Sequence, residues 1–425
     1  MRILISAAET SSDNHGAELL KAIRREIPSD IKLEAFGIGG PKLQAAGLEA
    51  IVDARELLAM GFIEAVGHLP KLYSSLKKMK KAVRKSKPDL AIVIDYPEFH
   101  FRLAKFLRGI DVPVVYYIPP KVWVWRKGRI KKLQAYFKKI LCILPFESDF
   151  YKESGVFVTY VGNPLVDELP LSLTRHQARE ALGLKDSDRC IVMMPGSRKS
   201  EIKQHLMLML ETAATAASFL TRTSSLNPIV ERSPFQVLVP VPTTLSIEAI
   251  QTAIQKTIDV WKITKPALVS AINVRVFHGK SNECLVAADV GLIKSGTSTL
   301  EAGLLKCPHV VVYKPSRTTA WIFKNLIRYQ GPVGLVNLVA AWDKSDSERQ
   351  SPEENPGQNN DLLVREILCE QVTLESLSDE VVALFRDENK RKKMKDGFNR
   401  LREKMEIGGV SPSLTAAREI LSWKQ

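Results

Sequence analysis

The sequence lacks the features of several common classes of protein. No stretch approaches the roughly eighteen uncharged apolar residues of a membrane-spanning helix. The sequence begins directly with the predicted strand Arg2–Ala7, so no cleavable signal peptide is expected. The five cysteines are scattered without the spacing of a metal site or a disulfide framework, so we interpret them as core residues of a cytoplasmic protein. A Ser-His-Asp order and a zinc-binding spacing are also missing, so neither hydrolysis nor a metal cofactor is predicted.

Acidic residues are scarce relative to basic ones. The formal net charge is +14, and no acidic residue occurs between His68 and Lys87. Residues 70–87 combine these cations with apolar residues three and four positions apart, which predicts a basic amphipathic helix. Its apolar stripe consists of Leu69, Leu72, Leu76, Met79 and Val83. We expect the stripe to pack on its own sheet and the lysines either to face an anionic membrane or merely to be solvated. Nucleic-acid-binding patterns are missing, so no nucleic acid partner is predicted.

Short apolar strands alternate with helices along the whole chain, which predicts an α/β protein with parallel sheets covered on both faces. The turn-rich segments Gly162–Pro164 and Leu169–Ser172 mark a boundary near the middle. We therefore predict two Rossmann-like, doubly wound domains, residues 1–168 and 169–404, facing each other across a cleft. Residues 405–425 contain a C-terminal helix, for which a return to the first domain is one expected path. The predicted strands are Arg2–Ala7, Leu33–Ile38, Leu90–Asp95, Val114–Ile118, Ile140–Leu144, Phe157–Val161, Cys190–Met194, Val237–Pro240, Val274–Phe277, Val290–Ile293 and His309–Tyr313.

Two short turns rich in Gly, Ser and Thr follow buried-type strands in the second half. The first is Met194–Arg198 and the second is Ser295–Glu301. Each turn leads from a strand into a helix, an arrangement that presents backbone N–H groups and the positive end of a helix dipole to a phosphate. Arg198 adds a cation whose forked donors suit a diphosphate. The spacing matches neither the Walker pattern nor Gly-x-Gly-x-x-Gly, so a bound nucleoside diphosphate is predicted, without ATPase or dehydrogenase chemistry.

In the first half, polar segments follow four predicted strands. They are Ala8–Asp13, Gly37–Pro41, Asp95–Phe99 and Pro119–Arg126. Because ligands of parallel sheets bind outside the carboxyl ends of the strands, these segments predict a polar acceptor pocket with an apolar wall. Structural alternatives exist for single residues. Glu9 and Asp13 fit a pair that caps the following helix, Asp95 fits a helix cap, and Trp123 fits a pocket wall.

Taken in order, these motifs resemble those of the lipid-A-disaccharide synthases, which are inverting glycosyltransferases of the two-Rossmann (GT-B) type. The resemblance runs from Ala8 to about Glu370. It includes Ala8–Asp13, Phe36–Pro41, Met60–Glu64, Ile94–Phe99, Val122–Arg126, Leu144–Glu147, Val161–Pro164, Pro195–Arg198 with Glu201, and Ser295–Glu301. It implies transfer of diacylglucosamine from UDP-2,3-diacylglucosamine to 2,3-diacylglucosamine 1-phosphate, with a β-1,6 bond, inversion and release of UDP. It also implies action at the inner face of the cytoplasmic membrane.

The same resemblance implies roles for individual residues. Asp95 would be the base that takes the proton of the acceptor 6-hydroxyl, with Glu9 beside it in the catalytic pocket. The substrate-binding residues would be Ser11, Asp13, Lys121, Trp123 and Arg126, and our own hypothesis is that Lys121 contacts the acceptor phosphate. The UDP-binding residues would be Gly196, Ser197, Arg198, Ser295, Gly296, Thr297, Glu301 and Asn337. Arginine and helix N-termini can stabilise a leaving diphosphate without a metal.

The chain departs from the family pattern at several positions. Ala8 and Ser12 replace two glycines of the opening turn, Pro119 and Lys121 replace serines, and Val336 replaces a proline. A glycine replacement strains a turn if the position needs a positive φ. Two other functions therefore stay open at this point. One is a related UDP-N-acetylglucosamine enzyme, either a transferase or a 2-epimerase, and the other is a non-catalytic relative at the membrane surface.

Overall fold

The computed structural model describes residues 1–58, 69–120, 129–223, 233–314, 331–342 and 362–422. The chain divides into two compact units. Unit 1 contains residues 1–168 and 403–425, and unit 2 contains residues 169–402. Each unit is built on a parallel β-sheet with helices on both faces. The prediction of two Rossmann-like α/β domains is therefore confirmed.

The sheet of unit 1 has seven strands in the order β3-β2-β1-β4-β5-β6-β7, and all described pairings are parallel. The strands are β1 Arg2–Ala7, β2 Glu34–Gly39, β3 Leu48–Asp53, β4 Leu90–Ile94, β5 Val114–Tyr117, β6 Lys139–Cys142 and β7 Val158–Tyr160. Successive residues of a strand enter different cores: Ile3 and Ile5 belong to one apolar cluster, and Leu4 belongs to the other. The sheet is thus buried on both faces, as a doubly wound fold requires.

Eight helices before the domain boundary cover this sheet within the described residues. They are α1 Thr10–Glu26, α2 Pro41–Ala45, α3 Ala54–Leu58, α4 Leu69–Lys85, α5 Pro97–Arg108, α6 Ile130–Tyr136, α7 Glu147–Glu153 and α8 Leu165–Glu168. The apolar side chains of α4, α5 and α6 join the cluster that contains Leu4, whereas α1 packs into the cluster that contains Ile3.

The helix α4 is the basic helix predicted from the sequence. Its Leu76, Met79 and Val83 are buried in the core of unit 1, so the predicted inward packing of the apolar stripe is confirmed. Burial of each such side chain stabilises the fold by about 1.5–3 kcal/mol. Most of its lysines are exposed on the opposite side. The helix therefore presents a cationic outer surface whatever partner it meets.

Unit 2 contains a six-stranded parallel sheet in the order β10-β9-β8-β11-β12-β13. Its strands are β8 Cys190–Met194, β9 Phe235–Val241, β10 Ile272–His278, β11 Val290–Lys294, β12 His309–Tyr313 and β13 Glu366–Leu368. Its described helices are α9 Arg175–Ala181, α10 Lys199–Thr223, α11 Ile247–Thr264, α12 Pro266–Ala271, α13 Ser281–Ala287, α14 Thr297–Leu304, α15 Leu335–Ala341, α16 Leu374–Arg386 and α17 Glu388–Met405. The strands β3 and β13, which both lie at sheet edges, were not predicted from the sequence.

The last helix, α18 Pro412–Leu421, belongs to unit 1 although unit 2 separates it from the rest of that unit in sequence. Its Ala416, Ala417 and Ile420 are buried in the same cluster as the apolar face of α1. Arg418 donates to the carboxylate of Glu26 at 2.9 and 3.2 Å. The apolar contacts carry most of this attachment, because the ion pair is exposed and such pairs contribute little.

Two further sequence predictions concern the cysteines and the hydropathy of the helices. Cys142, Cys190, Cys284 and Cys307 are buried and unpaired, but Cys369 is exposed, so the interpretation of all five as core residues is wrong for Cys369. Among the described helices, none combines the length and the apolar character that crossing a bilayer demands.

The burial of His309 on β12 is expected to make the stability of the fold depend on pH. Its ring is fully buried and stacks on Phe398, with ring centroids 5.7 Å apart, and its Nδ1 lies 2.8 Å from the Cys307 carbonyl oxygen. Because a carbonyl only accepts, Nδ1 carries the proton, while within the described residues Nε2 has no hydrogen-bond partner. Burial lowers the pKa of His309 from its usual 6.5 to about 4.

The unfolded chain therefore binds a proton to His309 near pH 6.5, whereas the folded chain does so only near pH 4. Stability from this residue is present above pH 6.5 and is lost as the pH falls towards 4, by up to about 3 kcal/mol. We expect His309→Asn, which keeps a donor at the Nδ1 position but does not titrate, to flatten the decline of the melting temperature. Calorimetry of both proteins between pH 7 and 4.5 measures this, and parallel declines would contradict it.

Candidate functional site

The carboxyl edge of the unit 2 sheet brings the two predicted turns together. The strands β8 and β11 are hydrogen-bonded neighbours, with Met194 opposite Ile293. From β8 the chain proceeds outward through β9 and β10, and it later returns to β11 on the other side of β8. The strand order therefore reverses between β8 and β11, and such switch points are where open parallel sheets bind ligands. Met194–Arg198 and Ser295–Glu301 flank this position.

Positive charge converges on this edge. The helix α10 begins directly after the first turn and α14 begins at Thr297 within the second, so the positive ends of their dipoles lie beside the switch point. Arg198 is exposed at the start of α10, and Thr297 is exposed at the start of α14. A Cβ atom built on Gly296 would meet nothing within 4 Å, so a ligand can approach this backbone closely. The arrangement suits a phosphate or diphosphate.

Glu201 organises the first turn from inside. Its Oε2 accepts the backbone N–H groups of Ser197 at 3.0 Å and Arg198 at 3.4 Å. A Cβ atom on Gly196, whose φ is +128°, would lie 2.5 Å from the Glu201 side chain, so this position needs glycine. Two N–H groups that were predicted to face the phosphate are thus engaged by a carboxylate, and the exposed guanidinium of Arg198 is a donor that a phosphate can reach.

Lys294 is a cation of the site that the sequence analysis missed. Its Nζ lies 2.9 Å from Oε1 of Glu201, and its side chain is largely buried. Burial opposes ionisation of Glu201, but the hydrogen bond and charge of Lys294 outweigh it and hold the pKa of Glu201 below its ordinary value. The signal in the sequence was a lysine that ends an otherwise apolar strand, directly before Ser295.

The remaining predicted UDP ligands lie in or beside the second turn. Ser295 is buried and donates from Oγ to the Val333 carbonyl at 3.1 Å, and Glu301 is half-buried on α14. Asn337 is 1% exposed, and its amide donates to Glu366 and to the Val364 carbonyl at 2.7 Å each. These contacts tie α15 to β13. The UDP-binding role of Asn337 remains a prediction, alongside this structural role.

Unit 1 repeats the same geometry at its own sheet. The chain leaves β1 towards β2 and β3 on one side and returns to β4 on the other, so its switch point lies between β1 and β4. Ala7 pairs with Ile94, which places the segments that carry Glu9 and Asp95 next to each other. Both residues are half-buried. The two carboxylates predicted to be catalytic therefore follow the two strands that flank a ligand-binding edge.

Backbone strain is concentrated at this edge. Asp95 and Tyr96 have φ values of +53° and +45°, and Ile118, which follows the neighbouring strand β5, has +61°. Residues with a Cβ avoid this left-handed region, and a β-branched residue such as isoleucine avoids it most strongly. Each costs about 1–3 kcal/mol and persists only where the surroundings enforce it, as is common at active sites. Tyr96 occupies the N-cap position of α5, but its side chain makes no capping hydrogen bond to that helix.

Asp13 has a clear structural role. Its carboxylate accepts the backbone N–H groups of Gly40, Lys42 and Leu43 at 2.8, 3.0 and 3.1 Å. It therefore caps the N-terminus of α2 rather than that of its own helix, and the predicted capping pair with Glu9 is not formed, because Glu9 makes no side-chain cap bond to α1. A Cβ atom on Gly40 would lie 2.6 Å from this carboxylate. A substrate contact of Asp13 remains a prediction.

The glycine replacements in the opening turn do not strain the backbone. Neither Ala8 nor Ser12 is among the described residues with a positive φ, and both are buried. Ser11 is exposed on the first turn of α1. Three predicted substrate ligands, Lys121, Trp123 and Arg126, lie outside the described residues.

Comparison with known proteins agrees with the family resemblance of the sequence motifs. A sequence model described as lipid-A-disaccharide synthetase matches residues 3–346. A lipid-A-disaccharide synthase from Myxococcus xanthus (strain DK1622) is 34% identical over 421 residues, which cover 99% of this chain and 97% of that protein.

Solved structures resemble the chain over its whole length. A UDP-GlcNAc 2-epimerase from Neisseria meningitidis bound to UDP-GlcNAc has a TM-score of 0.54 at 13% identity, covering 100% of this chain and 99% of that one. A glycosyltransferase from Rickettsia africae has a TM-score of 0.55 at 12% identity, covering 99% and 97%. At such low identity these likenesses establish the fold alone.

Proposed function

Since the chain belongs to the lipid-A-disaccharide synthetase family of glycosyltransferases, we propose that it performs the reaction its motifs imply. It transfers diacylglucosamine from UDP-2,3-diacylglucosamine to 2,3-diacylglucosamine 1-phosphate. The product is a β-1,6-linked disaccharide, formed with inversion, and UDP is released. The chain thereby acts in lipid A biosynthesis.

One observation carries this proposal: the predicted catalytic carboxylates and the predicted diphosphate site each flank the switch point of a parallel sheet. Unit 1 offers the carboxylates of Glu9 and Asp95 at its edge, and activation of an acceptor hydroxyl requires such a base. Unit 2 offers the exposed Arg198 and the N-terminus of α14, and a leaving diphosphate requires such positive groups. We therefore assign acceptor binding to unit 1 and nucleotide binding to unit 2.

In the proposed mechanism Asp95 takes the proton of the acceptor 6-hydroxyl while that oxygen attacks the anomeric carbon of the donor. The new C–O bond forms on the face opposite the bond that breaks, so the configuration inverts. UDP departs with the bonding electron pair, and the guanidinium of Arg198 and the N-terminus of α14 stabilise its charge. Glu9 and Ser11 line the acceptor pocket.

A mass-spectrometric product assay tests the function. Purified protein is incubated with UDP-2,3-diacylglucosamine and a panel of acceptors, and with unacylated UDP-N-acetylglucosamine as the comparison donor. We expect the tetra-acylated disaccharide 1-phosphate and UDP from the acylated pair alone. Turnover or epimerisation of the unacylated nucleotide would favour a UDP-N-acetylglucosamine enzyme, and UDP binding without any product would favour a non-catalytic relative.

We also propose that unit 1 attaches peripherally to the anionic inner face of the cytoplasmic membrane. The helices α4, α5 and α6 cover the same side of the sheet, and their exposed sides form a basic face. This basic face comprises Lys71, Lys77, Lys81, Lys85, Arg102, Lys105, Arg108, Lys131 and Lys132. Tyr73, which is 57% exposed, lies among these cations with Arg102 over its ring at 5.5 Å, an aromatic suited to a headgroup region.

Neutralising part of the basic face is expected to weaken membrane binding. The variant replaces Lys71, Lys77, Lys81 and Lys85 by glutamine. Each cation near an anionic surface contributes about 1 kcal/mol, so binding to phosphatidylglycerol vesicles should fall at least about tenfold and should weaken with salt in the unmodified protein. Vesicle co-sedimentation measures the effect.

The matched control replaces four exposed cations of α17, namely Lys392, Lys393, Lys395 and Arg400, by glutamine. It changes the net charge equally, so it should retain vesicle binding if location matters. Equal losses in both variants would show that net charge alone governs binding and would contradict the proposed basic face.

A further inference from the structure

The main-chain carbonyl oxygen of Asp95 is held by two buried side chains. Nδ1 of His100 lies 2.5 Å from it, and the hydroxyl of Tyr116 donates to it at 3.0 Å. Because a carbonyl only accepts hydrogen bonds, the imidazole proton is on Nδ1. Nε2 is then an acceptor, and the buried hydroxyl of Ser6, 2.8 Å away, donates to it. The tautomer of His100 is thus fixed from both sides.

Both donors keep their protons over the whole physiological range. Burial lowers the pKa of His100 to about 4, so the ring is neutral and Nε2 stays free to accept from Ser6. Burial, followed by the charge of Asp95, raises the pKa of Tyr116 well above its ordinary value, so its hydroxyl stays protonated. The two hydrogen bonds to the Asp95 carbonyl are therefore independent of pH under working conditions.

These bonds act on the strained turn at the end of β4. Asp95 and Tyr96 both adopt left-handed conformations that non-glycine residues avoid. The carbonyl of Asp95 belongs to the peptide between them, so fixing this oxygen fixes ψ of Asp95 and φ of Tyr96. Without the two donors, this peptide is free to rotate, so the φ of Tyr96 can relax towards negative values and the turn no longer holds Asp95 in one orientation.

We infer that His100 and Tyr116 are positioning residues that hold Asp95 in its strained conformation and so aim its carboxylate for the transfer reaction. This inference rests on the proposed function, in which Asp95 is the base. Neither residue needs to touch substrate, and their effect is transmitted through one carbonyl oxygen. Misplacement of a catalytic group by about 1 Å lowers rates by up to about a hundredfold.

Two substitutions of His100 separate positioning from mere packing. His100→Asn places an amide nitrogen where Nδ1 stands and keeps a donor for the Asp95 carbonyl, but it loses the contact with Ser6. His100→Gln reaches the Nε2 position and keeps a partner for Ser6, but it loses the donor to Asp95. We expect kcat to fall about threefold in His100→Asn. In His100→Gln it should fall about 10- to 100-fold, with the UDP Kd within about twofold of the original value.

The second measurement is a crystal structure of His100→Gln, in which we expect the ψ of Asp95 to change and the φ of Tyr96 to become negative. Equal kcat values for the two His100 variants at equal melting temperatures would overturn the inference, as would an Asp95 ψ and a Tyr96 φ that both stay near their original values in His100→Gln. Tyr116→Phe, which removes only the hydroxyl that donates to the same carbonyl, should also lower kcat. If the unmodified protein makes no disaccharide, the proposed function fails, and the crystal structure still decides whether His100 holds the turn.

Discussion

Asp95→Asn is expected to lower kcat by about a hundredfold to ten-thousandfold while UDP binding persists. The substitution is nearly isosteric and removes only the ability to take the proton of the acceptor hydroxyl. Because Asp95 lies in unit 1 and the predicted diphosphate site lies in unit 2, the UDP Kd should stay within about twofold. Steady-state kinetics with acylated donor and acceptor, together with calorimetric titration of UDP, measure both quantities.

A matched control is Asp30→Asn, which makes the same change at an exposed aspartate of unit 1. It should leave kcat and melting temperature unchanged. Near-normal turnover of Asp95→Asn would remove Asp95 as the base and would leave Glu9, the other carboxylate beside the switch point, as the candidate. An equal loss of UDP affinity and kcat would instead point to damage outside the acceptor pocket.

Arg198→Ala is expected to weaken UDP binding about 10- to 100-fold, since a hydrogen bond to a charged group contributes about 1.5–3 kcal/mol. The loss in kcat/KM should be larger, because charge on the diphosphate increases as the glycosidic bond breaks. Arg198→Lys should recover only part of the affinity, since lysine retains the charge but not the forked donors. Titration of UDP and kinetics with the acylated donor separate the two effects.

The control for Arg198 lies on the same helix. Arg222 is exposed near the opposite end of α10, a helix of 25 residues and therefore about 37 Å long. Arg222→Ala should leave the UDP Kd unchanged. If both alanine variants weaken UDP binding equally, the effect is one of net charge, and the assignment of the diphosphate to the start of α10 fails.

The fold could be predicted from the sequence wherever strands lie in the middle of a sheet. Central strands such as β1, β8 and β11 are continuous apolar runs, because both of their faces are buried. The edge strand β3 is half exposed, and β13 has only three residues and begins with an acidic one, so neither produced a recognisable run. Strand order is a tertiary property, yet the alternation of strands and helices indicated the doubly wound class.

The candidate site could be predicted only as far as it is local in sequence. The small-residue turns and Asp95 follow apolar runs directly, and this position identified them. The partners of these residues come from distant parts of the chain. Glu201, which follows the first turn, pairs with Lys294 at the end of β11, and Asp13 caps a helix that begins 28 residues later. His100 stands alone in the sequence, since nothing in the spacing of residues relates it to Ser6 or to a main-chain carbonyl.

The position of α18 has a consequence for biosynthesis. The apolar groove on α1 and the sheet of unit 1 is completed by residues that follow the whole of unit 2, more than two hundred residues later. At about 5–20 residues per second, translation of the intervening segment takes on the order of 10–50 s. During this interval the nascent N-terminal sheet exposes the surface that Ala416, Ala417 and Ile420 will cover. The unit translated first is therefore the one finished last, and chaperones have a defined apolar target on it until then.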